Sequence, residues 1–208
     1  MAESTICNLI ADGDTYLNPS DQIDTVDFRN DELFSGTHGA GIDVAVGTAT
    51  DTSEGTDTLT SIESVIGSVF ADAIAGSKSA NTLSGGAGDD SLDGLADEDV
   101  LTGGTGRDTF HFRTTFSSAN VDHITDSKTV DIIEIAHAIA TTPPVGVLAA
   151  EAFKDLSNGS VDATGRILYD PTSGALSYDK DCSGSTSDVT FATLDHPIAL
   201  TDLDFHIA

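Results

Sequence analysis

Between Gly67 and His111 the chain returns to one pattern every nine residues, five times without a gap: GSVFADAIA, GSKSANTLS, GGAGDDSLD, GLADEDVLT and GGTGRDTFH. Glycine opens each unit. Asp72, Asn81, Asp90, Asp99 and Asp108 hold the sixth place, and Ile74, Leu83, Leu92, Leu101 and Phe110 hold the eighth. One large apolar residue per unit cannot close a core around that unit alone, so the units must stack and bury their eighth positions together. The pattern predicts a six-residue turn followed by a three-residue strand. Successive strands lie on opposite sides of a flattened coil, which places turns eighteen residues apart directly above one another.

On either side the pattern is strand-like but less regular. Residues 1–19 are polar and predict no element. Gln22–Phe28 and Gly41–Val46 alternate and are rich in β-branched residues, the signature of half-buried strands. A looser repeat spans Ser53–Thr60, with Gly55, Asp57 and Leu59 in the glycine, aspartate and apolar places, and SIESVI (61–66) reads as a buried strand. After Phe112 the period is lost. Val121–Ile135 predicts short strands, with Asp122, Asp126 and Asp131 as strand caps rather than metal ligands. Leu148–Phe153 predicts one helical turn, closed by Ser157-Asn158-Gly159. Arg166–Tyr169 and Ala175–Asp179 flank Asp170-Pro171-Thr172-Ser173-Gly174, a hairpin signal because proline presets φ and glycine permits positive φ. Val189–Leu194 reads as a further strand. The chain is all-β, in three segments: a β-rich lead-in (1–57), a repeat roll (58–112) and a β-rich C-terminal cap (113–208).

Charge sharpens this reading. There are 35 acidic and 8 basic residues, a formal net charge of −27. Such a surface repels nucleic acid and acidic membranes, so its natural counter-charges are metal ions. Proteins adapted to salt are also acidic, but their carboxylates are scattered, whereas many here recur at one phase of a repeat. Cys7 and Cys182 are too few for a disulfide framework and read as free thiols. No apolar run is long enough to span a membrane. The N-terminus has no basic start followed by an apolar stretch, so no cleaved secretory signal is expected.

The turn chemistry selects the ion. Glycines at positions one, two and four permit backbone angles that turn carbonyl oxygens inward, and the sixth residue adds a carboxylate. Stacked strands are about 4.8 Å apart and calcium–oxygen bonds about 2.3–2.6 Å, so an ion midway between two turns reaches both. Magnesium demands shorter bonds and a strict octahedron, and zinc prefers nitrogen and sulfur, which the array lacks apart from the outlying His111. The best predicted site joins Asp90 to Asp108 through the turns carrying Gly85, Gly86, Gly88 and Gly103, Gly104, Gly106. Asp72 pairs with Asp90 on the same side, although Phe70 stands in the fourth place. On the opposite side Asn81 faces Asp99, with Asp97 compensating for missing glycines. Two to four calcium ions are expected. A metal-free solenoid is the competing reading. It fails because five buried side chains fall far short of the entropy of ordering the array, and stacked carboxylates would repel.

These units resemble the GGxGxDxUx repeats of RTX (repeats-in-toxin) calcium-binding proteins. The flanks DVAVGTATDTSEGTDTLTSIESVIGS and GRILYDPTSGALSYDKDCSGSTSDVTFATL are similar to segments bracketing the repeats in serralysin-type C-terminal domains, so the resemblance covers about residues 20–208. It implies a right-handed parallel β-roll with a β-rich cap. It also implies export by a bacterial type I (ABC-transporter) system that reads an uncleaved C-terminal signal, and an extracellular location; apart from the resemblance, a monomer is expected. The tail Asp204-Phe205-His206-Ile207-Ala208 is similar to the acidic-then-apolar ends of such exported proteins, though His206 and Ala208 depart from the more apolar version.

Catalytic chemistry is not expected. The histidines are scattered, and neither H-E-x-x-H nor G-x-S-x-G occurs. Asp12 and Asp14 read as solvated turn residues or one more calcium contact. Asp179-Lys180-Asp181-Cys182-Ser183-Gly184 opens like an EF-hand loop but carries Thr190 at the twelfth place, leaving calcium or a plain β-turn as alternatives. The expected function is a calcium-binding module serving export and folding. The alternative is the C-terminal part of a secreted metalloprotease, polysaccharide epimerase or adhesin.

Overall fold

The position-eight side chains find one another across two sheets. In the computed structural model Val26, Val65, Leu83, Leu101, Ile124 and Leu194 form one stack, each register-paired with the next. Ile42, Ile74, Leu92, Phe110, Ile133 and Phe205 form the other. The two stacks face inward and are essentially solvent-free, so a single apolar cluster runs from Val26 to Ile207. Residues 5–8, 15–17, 23–29, 39–50, 56–140, 144–157, 164–181, 188–195 and 198–208 are described, the first two stretches as backbone alone.

The lead-in contributes β1 (Thr5–Asn8), β2 (Thr15–Leu17), β3 (Asp24–Asp27), β4 (Gly41–Asp43), β5 (Thr48–Thr50), β6 (Thr56–Thr60) and β7 (Ser64–Ile66). The strands β1 and β2 lie where the sequence predicted nothing. The array contributes β8 (Ala73–Ser77), β9 (Thr82–Ala87), β10 (Ser91–Leu95), β11 (Val100–Thr105) and β12 (Thr109–Phe112). These strands are longer than the predicted three residues, because pairing begins at position seven and continues into the next unit's glycines. The cap follows as β13 (Asp122–Ile124), β14 (Ile132–Ile135), β15 (Gly146–Val147), β16 (Phe153–Asp155), β17 (Ile167–Asp170), β18 (Ala175–Tyr178), β19 (Val189–Leu194) and β20 (Phe205–Ile207). The helical turn expected near residue 150 is a 3₁₀ turn, Ala150–Ala152, and the β17–β18 hairpin is antiparallel as expected.

Alternate strands fall into alternate sheets. One sheet runs β1-β3-β7-β9-β11-β13-β19-β18-β17-β16 and the other β15-β20-β14-β12-β10-β8-β4-β5-β6-β2. Within the array all pairing is parallel, and partners such as Ala73, Ser91 and Thr109 are eighteen residues apart. This is a parallel β-roll, and the fold is all-β.

The period is not lost after Phe112, as the sequence reading held; it is displaced. Thr109 pairs with Ile132 and Val100 with His123, both twenty-three residues on. Removing the five residues Phe112–Phe116 restores the phase, giving two further units, SSANVDHIT (117–125) and DSKTVDIIE (126–134), with Asp122 and Asp131 in the sixth place. The insertion has its own packing. Phe116 stacks on Phe191 at 4.5 Å, and Phe112 meets the same ring edge-on at 5.0 Å, tying array to cap through aromatic contacts. No helix among the described residues is long and apolar enough to cross a membrane.

Candidate metal centre

From Asp72 to Asp108 each sixth position stands at the exit of a turn, and its backbone N–H points along the roll toward the next turn on its edge. That geometry builds a ladder. On one edge Ala40 N–H donates to Asp72 Oδ1 (2.6 Å), Asp72 N–H to Asp90 Oδ1 (2.8 Å), Asp90 N–H to Asp108 Oδ1 (3.0 Å) and Asp108 N–H to Asp131 Oδ1 (3.1 Å). On the other edge Asn81 N–H donates to Asp99 Oδ1 (2.7 Å) and Asp99 N–H to Asp122 Oδ1 (3.3 Å). The pairs expected eighteen residues apart therefore do meet: Asp72 with Asp90, Asp90 with Asp108, and Asn81 with Asp99.

The second carboxylate oxygen separates the units. Asp72 Oδ2 accepts the Ser68 N–H at 2.6 Å, while its Oδ1 also takes the Ser68 hydroxyl at 2.9 Å. Asp131 Oδ2 accepts the Lys128 N–H at 2.7 Å. Asn81 Oδ1 accepts the Ser77 N–H at 2.7 Å. Asp90, Asp99 and Asp108, by contrast, each keep Oδ2 fully buried with no hydrogen-bond partner. A buried carboxylate oxygen left unpaired is costly, and a cation is the partner its chemistry asks for. Oxygen-only donors suit calcium. Among the described residues no three carboxylate, imidazole or thiol side chains converge on one point. An ion held here must therefore draw most of its shell from backbone carbonyls of the turns.

The glycines have two separate reasons, where the sequence reading assigned one. At positions two and four the backbone is left-handed: φ is 107° at Gly86, 121° at Gly88, 101° at Gly104 and 135° at Gly106. Position one is different. Gly85 and Gly103 have ordinary φ, but a Cβ on either would overlap Oδ2 of the aspartate five residues on, Asp90 or Asp108. Here glycine makes room for the carboxylate.

The unit 94–102 keeps glycine at position one, Gly94, beside Asp99, and follows the same path without glycine at positions two and four. Leu95 and Asp97, at positions two and four, take φ of 74° and 78°, a strained region for any side chain. Asp97 is exposed, and its Oδ1 accepts the Glu98 N–H at 3.2 Å. Replacing Asp97 with glycine removes the strain without deleting buried contacts. Asp97→Gly is expected to raise the melting midpoint in calcium, with a gain of up to about 1 kcal/mol, and to leave calcium stoichiometry unchanged. A lost ion would show that Asp97 is a ligand.

Burial dominates the proton affinities of the row. It pushes Asp99 up to about 8 and Asp90 and Asp122 up to about 7, with neighbouring carboxylates adding to the rise, and it raises Asp72, Asp108 and Asp131 as well. A raised folded-state value means that the calcium-free roll binds more protons than the unfolded chain. The contribution of Asp90, Asp99 and Asp122 to its stability is then fully present below about pH 4 and is lost as pH rises through about 7–8. Acidifying the chelated protein from about pH 8 to about pH 5 is expected to restore β signal in circular dichroism, protons standing in for calcium. A chelated roll that loses structure on acidification would contradict this.

One cluster escaped the sequence. His111, apparently solitary, accepts or donates to Ser91 Oγ at 2.7 Å through Nε2 and to Glu134 Oε1 at 2.7 Å through Nδ1. Arg113 reaches Asp93 at 3.0 Å, and His206 lies 3.4 Å from Glu134. Asp93, His111, Glu134 and His206 share one register row across β10, β12, β14 and β20. Desolvation and the Arg113 charge hold His111 below its ordinary value, favouring the neutral imidazole between Ser91 and Glu134. The row reads as a clasp between array and cap.

Asp181 N–H donates to Asp179 Oδ1 at 3.0 Å, as in a turn. Cys182–Gly184, Asp12 and Asp14 lie outside the described residues.

Two overlapping stretches, 66–101 and 75–110, match the family model of the RTX calcium-binding nonapeptide repeat. No curated protein matches the chain.

Proposed function

From the premise that residues 66–110 are calcium-binding nonapeptide repeats, which makes this chain an RTX hemolysin-type repeat protein, we propose that it folds by taking up one calcium ion at each of Asp90, Asp99 and Asp108. The three buried, unpartnered Oδ2 atoms carry this reading. The turns Gly85-Gly86-Gly88 and Gly103-Gly104-Gly106 supply carbonyl ligands on one edge. On the other, the turn ending at Asp99 works with that ending at Asn81. Asp72 lines the first turn, its carboxylate committed to Ser68 and Ala40. Calcium brings the positive charge and the multiple oxygen contacts that the chain lacks; the chain holds the carboxylates in register and excludes water behind them.

The biological setting that fits is type I export followed by folding outside the cell. Without calcium, repulsion among the carboxylates favours an extended chain able to thread a channel; in a calcium-rich exterior the same groups bind ions and the roll closes. The three segments 1–57, 58–112 and 113–208 differ in this scheme by chemistry rather than by separate cores. The tail proposed as the export signal forms β20, with Phe205 and Ile207 fully buried and paired to β14. A transporter therefore reads it before the cap has folded. The module acts as a folding and export device and contributes no chemistry of its own.

Isothermal calorimetry of the full chain with calcium tests the binding claim: three sites are expected at neutral pH. An absence of heat in the titration, with no spectroscopic change, would overturn it.

A further inference from the structure

The last turn of the roll, Asp126–Asp131, sits where the next glycine turn would be. It lacks glycine at positions one, two and four, which are Asp126, Ser127 and Thr129. It nevertheless stacks closely. The Asp126 carboxylate accepts the N–H groups of Gly103 and Gly104, each at 2.8 Å, and Asp131 continues the ladder from Asp108. Into the step between the two turns reaches the ammonium of Lys128. It donates to the Gly104 carbonyl in a short hydrogen bond and to Asp126 Oδ2 at 3.1 Å. The Gly104 carbonyl is the eighteen-residue counterpart of the Gly86 carbonyl, over which Gly104 itself is packed. An ammonium, a glycine carbonyl and a carboxylate thus meet at the level where the repeat would next place a metal ion.

We propose that Lys128 is a built-in cation that ends the calcium row, occupying at the 126–131 turn a latent divalent-cation site formed by the Gly104 carbonyl and the Asp126 carboxylate. This rests on the reading that calcium bridges the stacked turns. The opposite end of the row closes without charge: Ser68 and Ala40 satisfy both oxygens of Asp72. On this edge the carboxylates whose second oxygen is left over, Asp90 and Asp108, lie between these two ends. The length of the ion row is therefore set by the chain itself, by two hydrogen-bonded turns of different design. The Lys128 side chain is 43% exposed, so an ion has a solvent path to the same place once the ammonium is gone.

Native mass spectrometry and calorimetric titration of the full chain test this with Lys128→Ser, Lys128→Met and Lys128→Arg. Lys128→Ser and Lys128→Met, which remove the charge, are each expected to bind one calcium ion more than the unsubstituted protein. Lys128→Arg keeps the charge and is expected to bind the same number. A folded Lys128→Ser or Lys128→Met variant with an unchanged ion count overturns the proposal. In the unsubstituted, calcium-loaded protein, Lys128 is expected to be acetylated several-fold more slowly than the exposed Lys78; equal rates overturn it even if neither neutral variant folds. An unsubstituted protein that binds no calcium would instead sink the binding scheme on which the proposal rests.

Discussion

Chelating calcium at about pH 7.5 is expected to unfold the repeat roll, removing most of the β signal in circular dichroism, with recovery on adding calcium back. The reason lies in the second oxygens of Asp90, Asp99 and Asp108. In the folded chain each is buried without a partner, and burial disfavours its charged form. Near neutral pH the calcium-free roll must either hold protons on these groups or bury unpaired charge, and both cost stability. Ions held at about a hundredfold above their dissociation constants contribute about 2.7 kcal/mol each, a large share of the net stability of an ordinary domain. Magnesium is expected to restore far less structure, because it holds shorter bonds and gives up water reluctantly. A β signal that survives chelation unchanged would show that the stacked apolar side chains suffice alone.

The largest effect of a single substitution is expected at Gly103. A Cβ there would meet Asp108 Oδ2, Cγ and Cβ inside van der Waals contact, the last two only 2.8 and 2.9 Å away. Asp108 cannot yield, since its Oδ1 holds the Asp90 N–H and its own N–H donates to Asp131. Gly103→Ala is expected to cost about 1–3 kcal/mol as overpacking and to abolish the ion at Asp108, leaving one fewer in a calcium titration. Gly146→Ala provides the contrast. Its φ is 121°, yet nothing stands within 4 Å of the added carbon, so it carries backbone strain alone and should keep every ion. If Gly103→Ala melts and titrates like the unsubstituted protein, position one does not make room for the carboxylate.

The nine-residue period was the most legible feature, because positions six and eight repeat in residue type. Stacking at eighteen residues and the pairing of Asp90 with Asp108 followed from it. What the sequence hid has specific causes. The five-residue insertion Phe112–Phe116 shifts the phase, so the units ending at Thr125 and Glu134 looked aperiodic although Asp122 and Asp131 keep the sixth place. The reason for glycine at position one was invisible because it depends on where the Asp90 and Asp108 side chains turn, a matter of space rather than backbone angle. The partition between satisfied and orphaned carboxylates depends on single donors, Ser68 beside Asp72 and Lys128 beside Asp131, that no motif distinguishes. The His111 clasp joins residues twenty and twenty-three apart, a spacing that makes neighbours only once the roll has closed.

Crystals of the full chain grown in calcium, with anomalous difference density collected at long wavelength, test the central claim most directly. The account predicts peaks about 2.3–2.6 Å from Oδ2 of Asp90, Asp99 and Asp108, each also touching turn carbonyls. Folded protein in abundant calcium without a peak beside any of these three oxygens would contradict it.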